Sequence, residues 1–300
     1  MFIENHLGEL AALCTAIFWT ITALAFESAS IKVGSLSVNV IRLFFAFFFL
    51  SIFTIITRGL LLPVDATSES WFWLFLSGLV GFVLGDLFLF KSYTIIGSRF
   101  AMLIMTLVPP ITAVMGRIIL NERLTLYSYL GMSLTFLGIS IAIFSRKNKS
   151  DKKLSLKITP LGLLYAFLGA VGQGLGLVLS KLGMKDYNPF AATQIRIIAG
   201  IFGFALLTTI MKRWGNVIKA FSHKSGMLNI TIGSFFGPFL GVSFSLLAVK
   251  HTETGIASTI MAIVPILIIP PAYFIYKQRI TLPEIIGAVI SICGVALFFV

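Results

Sequence analysis

The residues best suited to chemistry in this sequence are two arginines that lie inside long apolar stretches. Arg42 and Arg196 are each flanked on both sides by aliphatic residues. An ionisable side chain inside a membrane helix costs roughly 3 kcal/mol or more unless it faces protein or water. Each arginine therefore predicts a bound polar ligand or a structural ion pair, and each lies near enough to a helix end to reach the membrane surface. Both are candidate substrate-binding residues, and the sequence supports ligand binding and structural pairing equally.

Two carboxylates, Glu27 and Asp86, are candidates for gating or ion coupling. Counting helices along the chain places both toward the same membrane face as Arg42. A carboxylate in a partly dry pocket can hold a proton at neutral pH and so carry a coupling proton. The sequence favours a plainer role for Asp86, an ion pair with Lys91 or Arg99 near the membrane surface.

Polar and aromatic side chains within predicted helices could line a ligand cavity. Trp19 and Gln173 occupy matching positions in two similar halves of the chain, at an offset of 154 residues. An aromatic face and a side-chain amide offer stacking and an adaptable hydrogen bond to a substrate. Tyr93 and Gln194 are candidates on the same grounds. Plain helix packing is the alternative for Trp19.

Prolines fall within the fourth and ninth predicted helices, at Pro109 and Pro265. Proline removes a backbone donor and kinks or interrupts a helix. Carbonyl groups freed in this way could face a central cavity. A structural kink alone is the alternative.

Patterns for metal, nucleotide or nucleophile chemistry are missing from the sequence. The three histidines and two cysteines have no metal-ligand spacing. The glycines between 169 and 176 are not preceded by a strand, so they predict close helix packing instead of a dinucleotide loop. We therefore expect no cofactor, no metal site and no enzyme activity. The basic residues lie in short connections between apolar runs, which is typical of membrane orientation and not of nucleic-acid binding.

The elements that must position these residues are membrane helices. Hydrophobic residues make up 58% of the 300 residues, charged residues 11%, and the mean hydropathy is +1.01. A soluble domain is nearer half apolar and a quarter charged. At about 20 residues per crossing, the chain has room for roughly ten crossings. The apolar runs predict helices at 8–28, 38–57, 71–90, 100–119, 126–145, 160–180, 190–211, 227–248, 256–276 and 283–299.

The two halves of the chain resemble each other. Arg42 corresponds to Arg196 at an offset of 154, and Pro109 corresponds to Pro265 at an offset of 156. We expect a first repeat at 1–145, a basic linker at 146–159 and a second repeat at 160–300. Because five helices per repeat is an odd number, the second repeat enters the membrane the opposite way round. The predicted fold is an all-α integral membrane protein with ten transmembrane helices in two inverted five-helix repeats, as in many secondary transporters.

The fourth and fifth predicted helices carry a more specific pattern. Leu107-Val-Pro-Pro-Ile-Thr, then Leu120-Asn-Glu-Arg-Leu-Thr125 and Gly131, resembles the EamA-type branch of the drug/metabolite transporter superfamily. Asn121 replaces the glycine of the family's Gly-Glu-Arg-type turn, and Gln278 replaces the acidic residue in the second copy. The resemblance spans both repeats, at about 8–145 and 160–299. It implies a ten-helix carrier of a class that commonly exports amino acids or other metabolites.

These patterns predict a secondary transporter that moves a small metabolite by alternating access in a cell membrane, with a bacterial inner membrane expected. The expected partners are that metabolite and the lipid bilayer, and a homodimer is left open. The charged residues would form two polar layers that flank a central cavity. One layer would hold Glu27, Arg42, Asp86, Lys91 and Arg99, and the other Lys181, Arg196, Lys250 and Glu253. The alternative is a membrane-embedded binding or scaffold protein or an enzyme acting on lipid, but a scaffold needs neither an inverted repeat nor paired intramembrane arginines.

Overall fold

The structure is a computed structural model that describes residues 5–145, 159–267, 269–271 and 282–299. Within these residues the regular secondary structure is entirely helical. The predicted linker at 146–159 lies outside them apart from Thr159, as does the turn that contains Gln278.

Each half is a series of helices joined by short turns or breaks. In the first half these are α1 (Leu7–Val33), α2 (Ser35–Arg58), α3 (Ser68–Gly78), α4 (Asp86–Met105), α5 (Val108–Ile119) and α6 (Leu126–Ser145), and the π-helical segment Leu79–Gly85 joins α3 to α4. In the second half these are α7 (Pro160–Met184), α8 (Pro189–Ile210), α9 (Trp214–Ala220), α10 (Lys224–Ser234), α11 (Val242–His251), α12 (Thr254–Met261), α13 (Val264–Leu267) and α14 (Leu282–Ala296), and the π-helical segment Phe235–Gly241 joins α10 to α11.

The apolar character of these helices confirms a multi-pass membrane protein. Among the described residues, 7 helical stretches are long and apolar enough to cross a membrane, and Val108–Ile119 and Leu126–Ile141 are shorter apolar helices. Two local predictions were wrong. Helix α4 runs without a break through the connection predicted at 91–99, and the connection predicted between 211 and 227 contains α9.

Both halves interrupt a helix shortly before a proline. Helix α4 ends at Met105 and α5 begins at Val108, and 156 residues later α12 ends at Met261 and α13 begins at Val264. The helix that follows each break begins one residue before Pro109 or Pro265. Pro109 lies in the first turn of α5, where a missing N–H removes no helical hydrogen bond.

The two π-helical segments also occupy equivalent positions, because Leu79–Gly85 and Phe235–Gly241 are offset by 156. Each segment has glycine at its third and last positions. A π-helical turn carries an extra residue, which widens the helix and changes the direction of the side chains that follow. The repeat therefore preserves a local helix distortion, which lies between α3 and α4 in the first half and between α10 and α11 in the second.

The first helix of each half packs on the π-helical segment of the other half. Helix α1 contacts the second segment, and α7 contacts the first. A Cβ added to Gly241 would lie 2.6 Å from Trp19 Nε1, and a Cβ added to Gly85 would lie 3.3 Å from Gln173 Nε2. The matching positions 19 and 173 thus meet equivalent glycines, which is the contact pattern of two intertwined, symmetry-related halves.

Glycines allow α7 to approach the first π-helical segment at backbone distance. A Cβ on Gly176 would lie 2.7 Å from the Gly81 Cα, and a Cβ on Gly172 would lie 2.9 Å from the Gly85 Cα. These contacts agree with close helix packing as the role of the helix-seven glycines. The remaining helices also pair across the halves, with α2 against α8, α5 against α12 and α6 against α14.

Polar contacts between the halves distinguish the two ends of the bundle. At one end, Lys181 Nζ lies 2.7 Å from Glu122 Oε1, and we call it the Glu122 end. At the other, Lys32 Nζ donates a hydrogen bond of 2.8 Å to Ser225 Oγ, and we call it the Lys32 end. Both contacts join a residue of the first half to one of the second.

Two loops at the Glu122 end are joined by Asp65 and Tyr187. The Tyr187 hydroxyl donates to Asp65 Oδ1 over 2.7 Å, and Arg58 forms an ion pair with the same carboxylate. Burial raises the pKa of Tyr187, and the hydrogen bond to Asp65 raises it further, to about 12. Burial acts to raise the pKa of Asp65 as well, but the hydrogen bond from Tyr187 and the charge of Arg58 outweigh it, and the pKa of Asp65 is lowered.

We expect Gly176→Ala to destabilise the protein by roughly 1–3 kcal/mol, because the new methyl group overlaps the Gly81 backbone. The measurement is thermal unfolding of the purified protein in detergent. Gly215→Ala is the matched control, since a Cβ at Gly215 meets nothing within 4 Å. Equal melting temperatures for the two variants would contradict the close approach of α7 to the π-helical segment.

The raised pKa of Tyr187 predicts a loss of stability in alkaline solution. The folded protein keeps the phenol proton up to about pH 12, whereas an unfolded chain releases it near pH 10. The stabilisation is therefore complete below pH 10 and is lost as the pH rises from 10 to about 12. Unfolding midpoints across this range should fall more steeply for the native chain than for Tyr187→Phe. Parallel pH profiles would show that Tyr187 titrates normally.

Candidate functional site

A buried ion pair lies at the start of α4, directly after the first π-helical segment. Arg42 of α2 pairs with Asp86, and the two residues are 9% and 6% exposed. A charge buried in an apolar environment is tolerated when it is paired and hydrogen-bonded. This pair satisfies that condition, and the Arg42 guanidinium also lies 5.5 Å from the centre of the Phe26 ring.

The second half of the chain completes the coordination of Asp86. Gln173 on α7 donates from Nε2 to Asp86 Oδ1 over 2.7 Å and lies 3.4 Å from the Gly81 carbonyl oxygen. Arg42 binds the other carboxylate oxygen, Oδ2. Both oxygens of Asp86 are thus engaged, one by each half of the molecule.

Arg196 of α8 approaches the same region from the other end of the bundle. The residue is 5% exposed, and its guanidinium lies 5.0 Å from the centre of the Phe82 ring. A Cβ on Gly81 would lie 3.2 Å from Arg196 Nη2, so the glycine leaves room for the guanidinium. Arg196 thus lies beside the π-helical segment that leads into Asp86. We call Arg42, Asp86, Gln173 and Arg196 the central cluster.

The π-helical segment positions this cluster. Gly81 and Gly85 remove the side chains that would otherwise occupy the space of Arg196 and Gln173. Phe82, between them, supplies the ring that the Arg196 guanidinium covers. One turn of distorted helix therefore brings a carboxylate, an aromatic ring and two glycines to face the same charged groups.

The structure brings four of the predicted site residues together and places the others elsewhere or leaves their side chains undescribed. Arg42, Asp86, Gln173 and Arg196 come together, and Asp86 pairs with Arg42 instead of Lys91, which lies 4.8 Å from the Tyr165 ring centre. The favoured surface pairing of Asp86 was therefore wrong with respect to Lys91. Trp19 lies at the equivalent position on the second segment, against Gly241.

Gln194 lies apart from the central cluster, although it is on the same helix as Arg196. It is fully buried, and its Nε2 donates to Ser51 Oγ over 3.0 Å and to the Leu61 carbonyl over 2.8 Å. These bonds tie α8 to the end of α2 and the loop that follows. Glu27 lies in α1 and Tyr93 in α4, and their side chains are outside what the structure describes.

A second polar group closes the Glu122 end and was not predicted from the sequence as a site. Glu122 accepts hydrogen bonds from the Thr254 hydroxyl at 2.7 Å and the Thr254 backbone N–H at 3.0 Å. Lys181 pairs with the other Glu122 oxygen and donates to the Thr252 carbonyl, each over 2.7 Å. We call Glu122, Lys181, Thr252 and Thr254 the latch. Its signal in the sequence is the acidic residue in the Asn121–Arg123 turn, together with the Thr-Glu-Thr break before α12.

The contacts of the latch run between the repeats. Glu122 follows α5 in the first half. In the second half, Lys181 lies in α7, Thr252 lies in the break after α11, and Thr254 is the first residue of α12. Glu122 is nearly buried, with 9% of its side chain exposed, and Lys181 is 24% exposed. In the described part of the chain, no three His, Cys, Asp or Glu side chains meet as they would around a metal ion.

Comparison with known proteins agrees with this architecture. A solved crystal structure of a protein that is 16% identical covers 98% of this chain and 96% of its own, with a TM-score of 0.73, so the two share a fold. The uncharacterised transporter YyaM of Bacillus subtilis is 28% identical over 64% of this chain. Protein LicB of Haemophilus influenzae is 22% identical over 91% of this chain and 90% of its own length.

The match to YyaM spans 61% of that protein's own length. An uncharacterised transporter of Buchnera aphidicola is 25% identical over 46% of this chain and 44% of its own length. The pattern of the EamA-like transporter family matches twice, at residues 6–144 and 160–300. These two matches correspond to the two halves whose helices pair across the bundle. The chain therefore belongs to the EamA-like transporter family, as a multi-pass membrane protein with two family repeats.

Proposed function

We propose that this protein is a secondary carrier that moves a small metabolite across a cell membrane by alternating access. The observation that carries the proposal is the central cluster, a buried set of charges built by both halves at a distorted helix. A carrier needs a polar site near the middle of the membrane, at the interface of its repeats. Amino acids are the first class of metabolite to test, because carriers of this family resemblance commonly export them.

The directions of the first helices support two inverted repeats of five crossings. Helix α1 begins near the Glu122 end, where Glu9 accepts a hydrogen bond of 2.8 Å from Thr252. It ends near the Lys32 end, where Asn229 donates to Ser28 over 2.8 Å. Helix α7 instead finishes at the Glu122 end, with Lys181 in its last turn. The first helices of the two repeats therefore run in opposite directions.

The latch supports a gate at the Glu122 end. Its contacts run from the first repeat to the second, so rocking one repeat against the other must break them. An ion pair with matched hydrogen bonds gives a discrete closed state, and its loss would admit water to the central cluster from that end. A carrier of this kind exchanges two such states without opening both ends at once.

Flux in proteoliposomes tests the proposal directly. We expect saturable uptake of one metabolite class, screened as amino acids and common metabolites with and without a pH gradient. Arg42→Gln or Asp86→Asn alone should reduce both folded yield and flux, because each leaves a buried charge unpaired at about 3–5 kcal/mol.

The double variant Arg42→Gln/Asp86→Asn separates structure from transport. Removing both charges should restore folded yield, measured by size-exclusion chromatography, but not flux. Flux at the native rate in the double variant would show that the pair is purely structural. Lys219→Gln, on an exposed residue of α9, is the control for a charge change away from the cluster.

Cross-linking tests the gate. Cysteines at positions 122 and 254 replace groups that are in hydrogen-bond contact, in a chain whose Cys14 and Cys293 have been replaced by serine. A short reducible bifunctional thiol reagent should abolish flux, and reduction should restore it. Full flux in the cross-linked protein would exclude opening at the Glu122 end. A pair of cysteines at exposed positions 216 and 219, both within α9 of the second half, controls for the chemistry of the reagent.

A further inference from the structure

The guanidinium of Arg196 is a buried positive charge that makes no hydrogen bond to any residue the structure describes. Its Nε is enclosed and has no hydrogen-bond partner. Among the side chains that the structure describes, the ring next to it is that of Phe82, whose centre lies 5.0 Å from the guanidinium carbon. A cation–π contact occupies a face of the guanidinium and uses none of its five in-plane N–H donors. These N–H donors make no hydrogen bond to a described residue, although the Arg196 residue is only 5% exposed.

The internal repeat shows what is missing beside Arg196. Arg42, its counterpart in the first half, binds the carboxylate of Asp86. The position equivalent to Asp86 in the second half, 156 residues on, is Val242, which directly follows the second π-helical segment. Asp86 accepts no hydrogen bond from Arg196, and its two oxygens bind Arg42 and Gln173. One half thus carries its own carboxylate, and the other half has the arginine alone.

We propose that, at the transport site inferred above, the substrate carries a carboxylate that binds the Arg196 guanidinium, in the relation that Asp86 has to Arg42. This assignment rests on the proposed function and names its substrate class as organic monocarboxylates. A guanidinium holds a carboxylate through two parallel N–H donors, which is the strongest neutralisation available to it in a dry site. A Cβ at Gly81 would lie 3.2 Å from Arg196 Nη2, so a larger residue there would press on the guanidinium that is to bind the carboxylate.

Charge balance favours a carboxylate over a phosphate. Arg42 and Asp86 neutralise each other, and Arg196 adds a single positive charge that one carboxylate group matches. A phosphate dianion would place a second negative charge near the Asp86 carboxylate, and like charges that close together disfavour binding. The Gln173 amide beside Asp86 offers a neutral polar group for the rest of the substrate.

Val242 provides a test that depends on the internal repeat. If the Arg196 guanidinium needs a carboxylate partner, Val242→Asp should supply one from within the chain. The new aspartate should then bind the guanidinium in place of the substrate. The variant should then lose carboxylate binding and become more resistant to thermal unfolding than Val242→Asn, which has the same shape without the charge. Adding Arg196→Gln to Val242→Asp should abolish that extra resistance, since the new charge would be left unpaired.

The experiment is ligand-induced thermal stabilisation and calorimetric binding with the purified full-length chain in detergent. The probes are leucine, phenylalanine and 4-methyl-2-oxopentanoate, each beside its primary amide, and inorganic phosphate. We expect at least one acid to bind and its amide to bind roughly tenfold to a hundredfold more weakly, as for loss of one hydrogen bond to a charged group. Arg196→Gln should weaken the binding of the acid by a similar factor and leave the binding of the amide unchanged. Val242→Asn should bind the acid with the native affinity.

Three results would overturn the assignment: equal binding of acid and amide, binding of no acid in the panel, or preference for inorganic phosphate. Failure of the assignment is distinguishable from failure of the carrier function. Saturable flux of a neutral or cationic metabolite that is unaffected by Arg196→Gln would support the carrier function and contradict the carboxylate assignment. Arg196-dependent binding of an acid without any flux would support the carboxylate-binding role of Arg196 and contradict the carrier function.

Discussion

A charge buried within a membrane must be paired, and this requirement organises the centre of the molecule. Asp86 binds Arg42 of α2 and Gln173 of α7, so one carboxylate connects both halves of the chain. The first half pairs Arg42 with its own carboxylate, whereas the second half has Val242 at the position equivalent to Asp86. An unpaired arginine in an apolar bundle is strongly destabilising, so Arg196 depends on groups outside its own half. The same interaction that stabilises the closed bundle therefore lies where the halves must move in a carrier.

The backbone is shaped around that requirement. A regular helix through residues 79–85 would direct different side chains toward α7 and α8. The π-helical segment instead turns Gly81 and Gly85 toward Arg196 and Gln173 and places Asp86 at the start of the next regular helix. The second half repeats the distortion at Phe235–Gly241 but follows it with Val242. The two halves thus share this backbone distortion but differ in charge, because only the first half has a carboxylate at the position that follows it.

Much of this arrangement follows from the order of residues along the chain. Mean hydropathy and apolar run length identify membrane helices, and the offset that aligns Pro109 with Pro265 also aligns the helix breaks found in the structure. Trp19 and Gln173, which the sequence places at matching positions, lie against Gly241 and Gly85, the last residues of the two π-helical segments. Family membership was likewise recognisable from the proline-bearing helix and the turn at Glu122.

The partners of individual side chains were not predictable in the same way. Asp86 was expected to pair with a cation near the surface, because sequence distance says nothing about which helices face each other. The π-helical turns also escaped prediction, since an extra residue in a helix leaves the apolar pattern almost unchanged. Gln194 and Arg196 are two residues apart, so they point to different sides of α8, and one ties down a loop while the other faces the cluster.

Reciprocal motion of the two halves is the central claim, and distance measurements between spin labels test it most directly. One pair of labels, at exposed Arg123 and Asp186, reports on the Glu122 end, and another, at exposed Ser35 and Lys219, reports on the Lys32 end. The latch is broken by Glu122→Gln/Lys181→Met in lipid nanodiscs, with the native cysteines replaced by serine. If the halves rock about the central cluster, the distance at the Glu122 end lengthens while the distance at the Lys32 end shortens. A longer distance at the Glu122 end with no change at the Lys32 end would mean that the latch only frays locally, and would contradict alternating access in this protein.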